Sequence, residues 1–244
     1  KKILFLLIIT SSAIAQDKDL TIESSVMGYY QGLYPKSLKW AQWLTDADKY
    51  AYAKENTYFI LPATALPDAR VAEQITLKSI QENIADLKHL PYTQRISSEQ
   101  LVFDHNSNKI IYNYKGENIG QFASIHYPLE ASNNDFHFNT KRIAYTLDNN
   151  LYIANVQDSM IAITTNIDKN IVSGQAIHRF EFGISKGTFW SPTGNSLAFY
   201  QKDETNVADY PLLDITTRTG SLKSIKYPMA GEASEHGRVG VYSV

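Results

Sequence analysis

Gly183, Ser185 and Gly187 form the pattern G-x-S-x-G inside the run HRFEFGISKGTFWSP, residues 178–192. That spacing is the signature of a nucleophile elbow, where a serine on a tight strand-to-helix turn attacks a carbonyl carbon. Candidate partners follow in hydrolase order: Asp203, Asp209 or Asp214, then His236. The flanks argue against this chemistry. An elbow needs a strand before the serine and a helix after it, because the helix N-terminus supplies an oxyanion donor. Here the serine is followed by GTFWSPTG, which is aromatic, then turn-forming, then β-type. No HGGG-type oxyanion segment precedes it. Only 57 residues follow Gly187, too few for the rest of a hydrolase sheet. No residue of this chain is therefore expected to be catalytic.

Other reactive side chains are sparse. Cysteine is absent, which excludes disulfides, thiolate metal sites and a thiol nucleophile. The histidines at 89, 105, 126, 137, 178 and 236 make no H-x-x-x-H or H-E-x-x-H pair, so neither a metal nor a cofactor is implied. His178 and His236 are expected in loops, and Asp203 and Glu204 in a solvated turn. The formal net charge of −2 on 244 residues predicts no nucleic-acid partner.

Residues 1–15 have the layout of an export signal: Lys1-Lys2, the apolar run ILFLLIIT, and Ala13-Ile14-Ala15 ahead of Gln16. An uncleaved anchor is the alternative. The mature chain is expected to be exported, to the periplasm or beyond the cell.

The elements that must hold any site are β-strands. The chain carries 16 tyrosines and 10 phenylalanines, a composition suited to sheets. Four units share one plan: an aromatic strand end (Trp43, Phe103, Phe138, Trp190), a polar turn, then an alternating strand. The alternating pairs are Tyr50 and Tyr52, Ile110 and Tyr112, Ile143 and Tyr145, Leu197 and Phe199. Period-2 alternation predicts one buried face per strand. The anchors recur 60, 35 and 52 positions apart, which suits blades of a β-propeller, with a β-sandwich as the alternative. One stretch departs from this. In TLKSIQENIADLKHL, residues 76–90, Leu77, Ile80, Ile84 and Leu87 have helical spacing, which predicts a single inserted amphipathic helix. The C-terminal run HGRVGVYSV is apolar and β-type. A propeller hides its edges by closing, so a chain with three to four blades is expected to be the front part of a larger protein.

HRFEFGISKGTFWSPTGNSLAFYQKDE, followed by ADYPLLDI, KYPMAG and VGVY, resembles the propeller of the dipeptidyl peptidase IV family, in the prolyl oligopeptidase clan. The bacterial prolyl dipeptidyl and tripeptidyl peptidases are the most similar form. GYYQGLYP near the N-terminus and NNLYIA at 149–154 carry the same likeness. The resemblance implies an all-β fold: the first blades of an eight-bladed propeller over residues 16–244, with an α/β-hydrolase domain lying outside this chain. That hydrolase carries a Ser-Asp-His triad and cleaves after proline near a peptide's free N-terminus. The propeller gates access and grips the amino end. The implied partners are such peptides, the hydrolase domain of the same protein, and a second copy in a homodimer.

Dipeptidyl members carry a Glu-Glu pair where this chain has Phe180-Glu181. The resemblance makes Glu181 the carboxylate for the substrate's ammonium, with Phe180 lining or shielding it. Arg179 pairs with Glu181 or with a substrate carboxylate. A lone glutamate here is similar to the tripeptidyl members. The family's carbonyl-binding arginine has no match; NYKGENIGQF offers only Lys115. Two functional readings follow: the propeller portion of an exported serine exopeptidase, or a non-catalytic binding module that has lost the hydrolase.

Overall fold

The computed structural model describes residues 21–30, 32, 33, 37–67, 73–178 and 182–244. The expected signal segment lies outside them. The chain divides into two compact units, Lys1–Leu38 and Lys39–Val244. In the first, helix α1 spans Ile22–Met27, and the Thr21 hydroxyl caps it by accepting the Ser24 N–H at 3.0 Å.

The second unit is a row of antiparallel sheets. The first blade is β1 (Lys39–Trp43), β2 (Lys49–Lys54), β3 (Thr57–Pro62) and β4 (Glu73–Thr76), in that order. Helix α2 (Leu77–Gln81) leads on. The second blade is β5 (Thr93–Ile96), β6 (Gln100–His105), β7 (Asn108–Asn113) and β8 (Phe122–His126). The third is β9 (Ser132–His137), β10 (Arg142–Leu147), β11 (Asn150–Asn155) and β12 (Met160–Ala162).

In the fourth blade β15 (Ser196–Asp203) is central. One edge pairs end to end with β13 (Ile171–Ser173) and β14 (Thr188–Trp190), the other with β18 (His236–Ser243). A separate hairpin, β16 (Asp209–Asp214) and β17 (Ser221–Lys226), interrupts the path from β15 to β18. This is the partial all-β propeller that the repeats predict.

The tight turns follow from residue type. Asn106-Ser107 and Asp148-Asn149 join β6 to β7 and β10 to β11, and all four residues have positive φ. Two-residue hairpins want this twist, and Asn and Asp adopt it at least cost.

The alternation has a different meaning from the expected one. Successive residues feed two cores rather than a core and solvent. In the second blade Leu101, Phe103, Ile110 and Tyr112 pack with Ala51, Tyr58 and Ile60 of the first. Their neighbours Val102 and Ile111 pack with Ile143 and Tyr145 of the third. Ala144, Leu151 and Ile153 then meet Leu197 and Phe199 of the fourth. Phe103 accordingly lies within β6 rather than at its end, and Phe138 falls one residue beyond β9.

The expected helix over 76–90 is shorter. The Thr76 hydroxyl caps it at Ser79, but it stops at Gln81. Asn83 and Asp86 are poor helix interiors because their side chains find other partners. The Asn83 side chain donates to the Tyr112 hydroxyl at 3.3 Å, and Asp86 pairs with His105 at 2.9 Å. Ile84, Leu87 and Leu90 are buried all the same, on irregular chain rather than on a helix face.

Candidate functional site

The run that held the serine motif joins β13 to β14. After β13, Gly174 takes φ +75° and donates its N–H to Tyr200 O at 2.8 Å. A Cβ on Gly187 would lie 2.2 Å from the carbonyl carbon and oxygen of Gln175. Gly187 O in turn accepts the Tyr200 N–H at 2.9 Å. The chain thus leaves and re-enters through a neck in which backbone lies on backbone, and only glycine fits at 187. Gly183 takes φ +75°, a turn conformation. Both glycines of the motif are therefore accounted for by backbone geometry.

The flanks of the excursion are strained. His178 and Phe182 have φ of 51° and 56°, left-handed values that bulky residues rarely adopt. Their rings meet edge to face at 6.0 Å, and the His178 N–H donates to Glu235 Oε1 at 2.9 Å. Glu235 precedes β18, so the fourth blade ties down the entrance of the excursion. Arg179, Phe180 and Glu181, the residues expected to contact substrate, lie outside the described residues.

Ser185 is exposed on irregular chain, and the strand β14 follows it where an elbow needs a helix. Each candidate acid has another partner. Asp203 accepts the Thr205 N–H at 2.9 Å, and hydrogen bonding from Thr205 holds its carboxyl below the usual range. Asp214 accepts from Thr216, and Asp209 pairs with Lys226 at 3.3 Å. His236 opens β18 opposite Asp203, on a strand rather than in a loop. Glu204 is not solvated as expected: it is buried against Lys202 at 2.5 Å. Lys115 pairs with Glu73 at 3.0 Å. Among the described residues no three His, Asp or Glu side chains gather to hold a metal.

The model of the "Dipeptidyl peptidase IV (DPP IV) N-terminal region" family matches residues 92–244, more than half of the sequence. The chain belongs to the dipeptidyl peptidase IV family. The matched part begins at the second blade and runs through the excursion and its Glu235 tether. Dipeptidyl aminopeptidase B of Saccharomyces cerevisiae is 33% identical over 115 residues, covering 43% of this chain and 14% of the yeast protein. The crystal structure of a Bacteroides ovatus protein assigned as a dipeptidyl aminopeptidase IV superposes with a TM-score of 0.70 at 35% identity. It covers 86% of this chain and 29% of that one. Porphyromonas gingivalis dipeptidyl peptidase 4 shares the fold, with a TM-score of 0.62 at 19% identity over 93% of this chain and 34% of that one. This dipeptidyl peptidase IV N-terminal region therefore spans about a third or less of the relatives it matches.

The sequence offered no sign of the Glu235 tether, which joins positions 57 residues apart. The neck was partly legible, since an isolated glycine just ahead of the β-type run TFW, Gly187, marks a close backbone approach or a turn.

Proposed function

We propose that this chain is the substrate-gating, amino-end-binding propeller portion of an exported serine exopeptidase. The enzyme releases Xaa-Pro dipeptides or Xaa-Xaa-Pro tripeptides through a Ser-Asp-His triad in a hydrolase domain outside these residues. Membership of the family's N-terminal region carries the reading. The tethered neck with strained flanks supports it, because strain of this kind persists where surrounding structure over-determines it for a task.

An exopeptidase measures from the substrate's ammonium to the scissile bond. Glu181 supplies the fixed end of that measure through a charge-assisted hydrogen bond, stronger than a neutral one. Each extended residue adds about 3.3 Å, so one residue of displacement changes a dipeptide into a tripeptide product. Phe180 provides no second carboxylate, which favours the tripeptide. Arg179 orients Glu181 or a substrate carboxylate. The apolar run of residues 3–10 and the A-x-A site support export to the periplasm or beyond.

A second reading is a binding module without peptidase activity. Phe180 in place of a glutamate favours it, as does the engagement of Lys115 with Glu73.

The test is to express the gene product that carries this chain and identify by mass spectrometry what it releases from Xaa-Pro and Xaa-Xaa-Pro peptides. Release of di- or tripeptides from free amino termini, and none from acetylated ones, is expected. Equal cleavage of acetylated peptides removes the amino-end reading, and no cleavage at all selects the binding module.

A further inference from the structure

Strands of neighbouring blades lie side by side: β1 beside β5, and β9 beside β14. In a propeller these are the strands around the central channel. Between β5, β9 and β14 lies an open cavity of about 350 Å³, lined among others by Arg95, Asp135, His137, Phe138, Lys186 and Trp190. That volume is at the low end of the roughly 300–1,000 Å³ of small-molecule sites.

The charges of this cavity do not balance. The Asp135 carboxylate is neutralised by Lys186. Its Oδ2 accepts from Lys186 Nζ at 3.1 Å and from the Thr188 hydroxyl at 2.9 Å, and the backbone carbonyl oxygen of Asp135 accepts the Trp190 indole N–H at 3.0 Å. Arg95 has no carboxylate within ion-pair distance among the described residues. Its guanidinium stands 6.0 Å from the centre of the Phe138 ring. An arginine is always charged, and its planar fork matches a carboxylate through two parallel hydrogen bonds. The walls beside it are aromatic. His137 is fixed by its Nδ1 contact with the Thr140 hydroxyl at 2.8 Å and packs on Trp190 with ring centres 5.7 Å apart.

From this we propose that the cavity is an anion subsite that holds a carboxylate of an acidic peptide segment. Arg95 clamps the carboxylate, Lys186 neutralises the Asp135 carboxylate that would otherwise repel it, and Phe138 and Trp190 flank the peptide's apolar parts. A peptide fits better than a nucleic acid. Nucleic-acid binding needs a basic stripe, whereas this site has one uncompensated cation in a chain of net charge −2. The site stands apart from Glu181 in its chemistry. It binds the opposite charge, so it does not rest on the amino-end reading.

The test titrates a fluorescein-labelled, N-acetylated tetraglutamate peptide into the full chain and follows anisotropy. Acetylation removes the ammonium, so Glu181 plays no part. The tetraglutamine amide should bind at least about ten-fold more weakly, as loss of a hydrogen-bonded charge predicts. Arg95→Gln should lose about the same, with Arg95→Lys between. Arg95 is exposed, so both variants should keep the parent's melting temperature. Lys186→Met leaves the Asp135 carboxylate unneutralised and should weaken binding as well. Equal binding of the neutral peptide, unchanged binding by Arg95→Gln, or no binding would overturn the proposal. So would displacement by an equal concentration of inorganic phosphate.

Discussion

The second and fourth blades use the same strand pattern and bury it differently. In the second, Val102, Phe103, Ile110 and Ile111 are all buried, because the first blade covers one face and the third covers the other. In the fourth, Leu197 and Phe199 are buried against the third blade. The opposite face, in register across β14, β15 and β18, carries Phe189, Ala198 and Val241, and beside them Tyr200 and Val239. Val241 is 71% exposed and Val239 66%. An alternating strand therefore says that two faces differ; it does not say what covers each. Burial in a propeller is a property of neighbours, as in other repeat folds, where each unit is stabilised by the one beside it.

The difference can be broken at either blade. Phe103→Ala, in the doubly covered blade, should cost about 3–5 kcal/mol. Urea denaturation of the parent and variant would show it, and a loss below about 1 kcal/mol would mean that the two cores are not packed as described. Gly187→Ala should cost about 3 kcal/mol, because the new Cβ meets backbone that has no rotamer to change. Val241→Ser, on the open face, should move stability by no more than about 0.5 kcal/mol. A loss as large as that of Phe103→Ala would show that this face is covered.

Proton linkage sharpens the contrast. Burial raises the pKa of Tyr58, Tyr112, Tyr114, Tyr127 and Tyr145, all in the first three blades. For Tyr127 the hydrogen bond to Asp104 and its charge add to this. A raised folded pKa means that the folded state keeps protons that the unfolded chain releases. Their contribution is whole below the unfolded tyrosine pKa of about 10 and is lost as pH rises beyond it. Lys109 acts in the opposite sense: burial lowers its pKa, so its contribution grows as pH climbs toward the unfolded lysine value. With five tyrosines against one lysine, the urea midpoint should fall above pH 10, and Tyr127→Phe should flatten that fall. An unchanged slope would remove Tyr127 from the account.

Much of this fold was legible in the sequence. The strands at Tyr50–Tyr52, Ile110–Tyr112, Ile143–Tyr145 and Leu197–Phe199 follow from local alternation, and the Asn- and Asp-rich turns from their preference for positive φ. The 76–90 segment has helical apolar spacing but only a short helix, because Asn83 and Asp86 are drawn to Tyr112 and His105, contacts that local pattern does not encode. The same limit hid the anion subsite. Arg95 lies on β5, Asp135 on β9 and Lys186 on the chain just before β14, and only the approach of these three blades brings them together. The serine motif misleads for the converse reason, since its glycines serve a neck and a turn rather than an elbow.

The most direct test of the central claim is kinetic. In the gene product that carries this chain, Glu181→Gln should lower kcat/KM for a prolyl peptide with a free amino terminus by about ten- to a hundred-fold, the value of a charged hydrogen bond. If Glu181→Gln cleaves the free-amino peptide as fast as the parent does, the propeller does not grip the substrate's amino end through that residue.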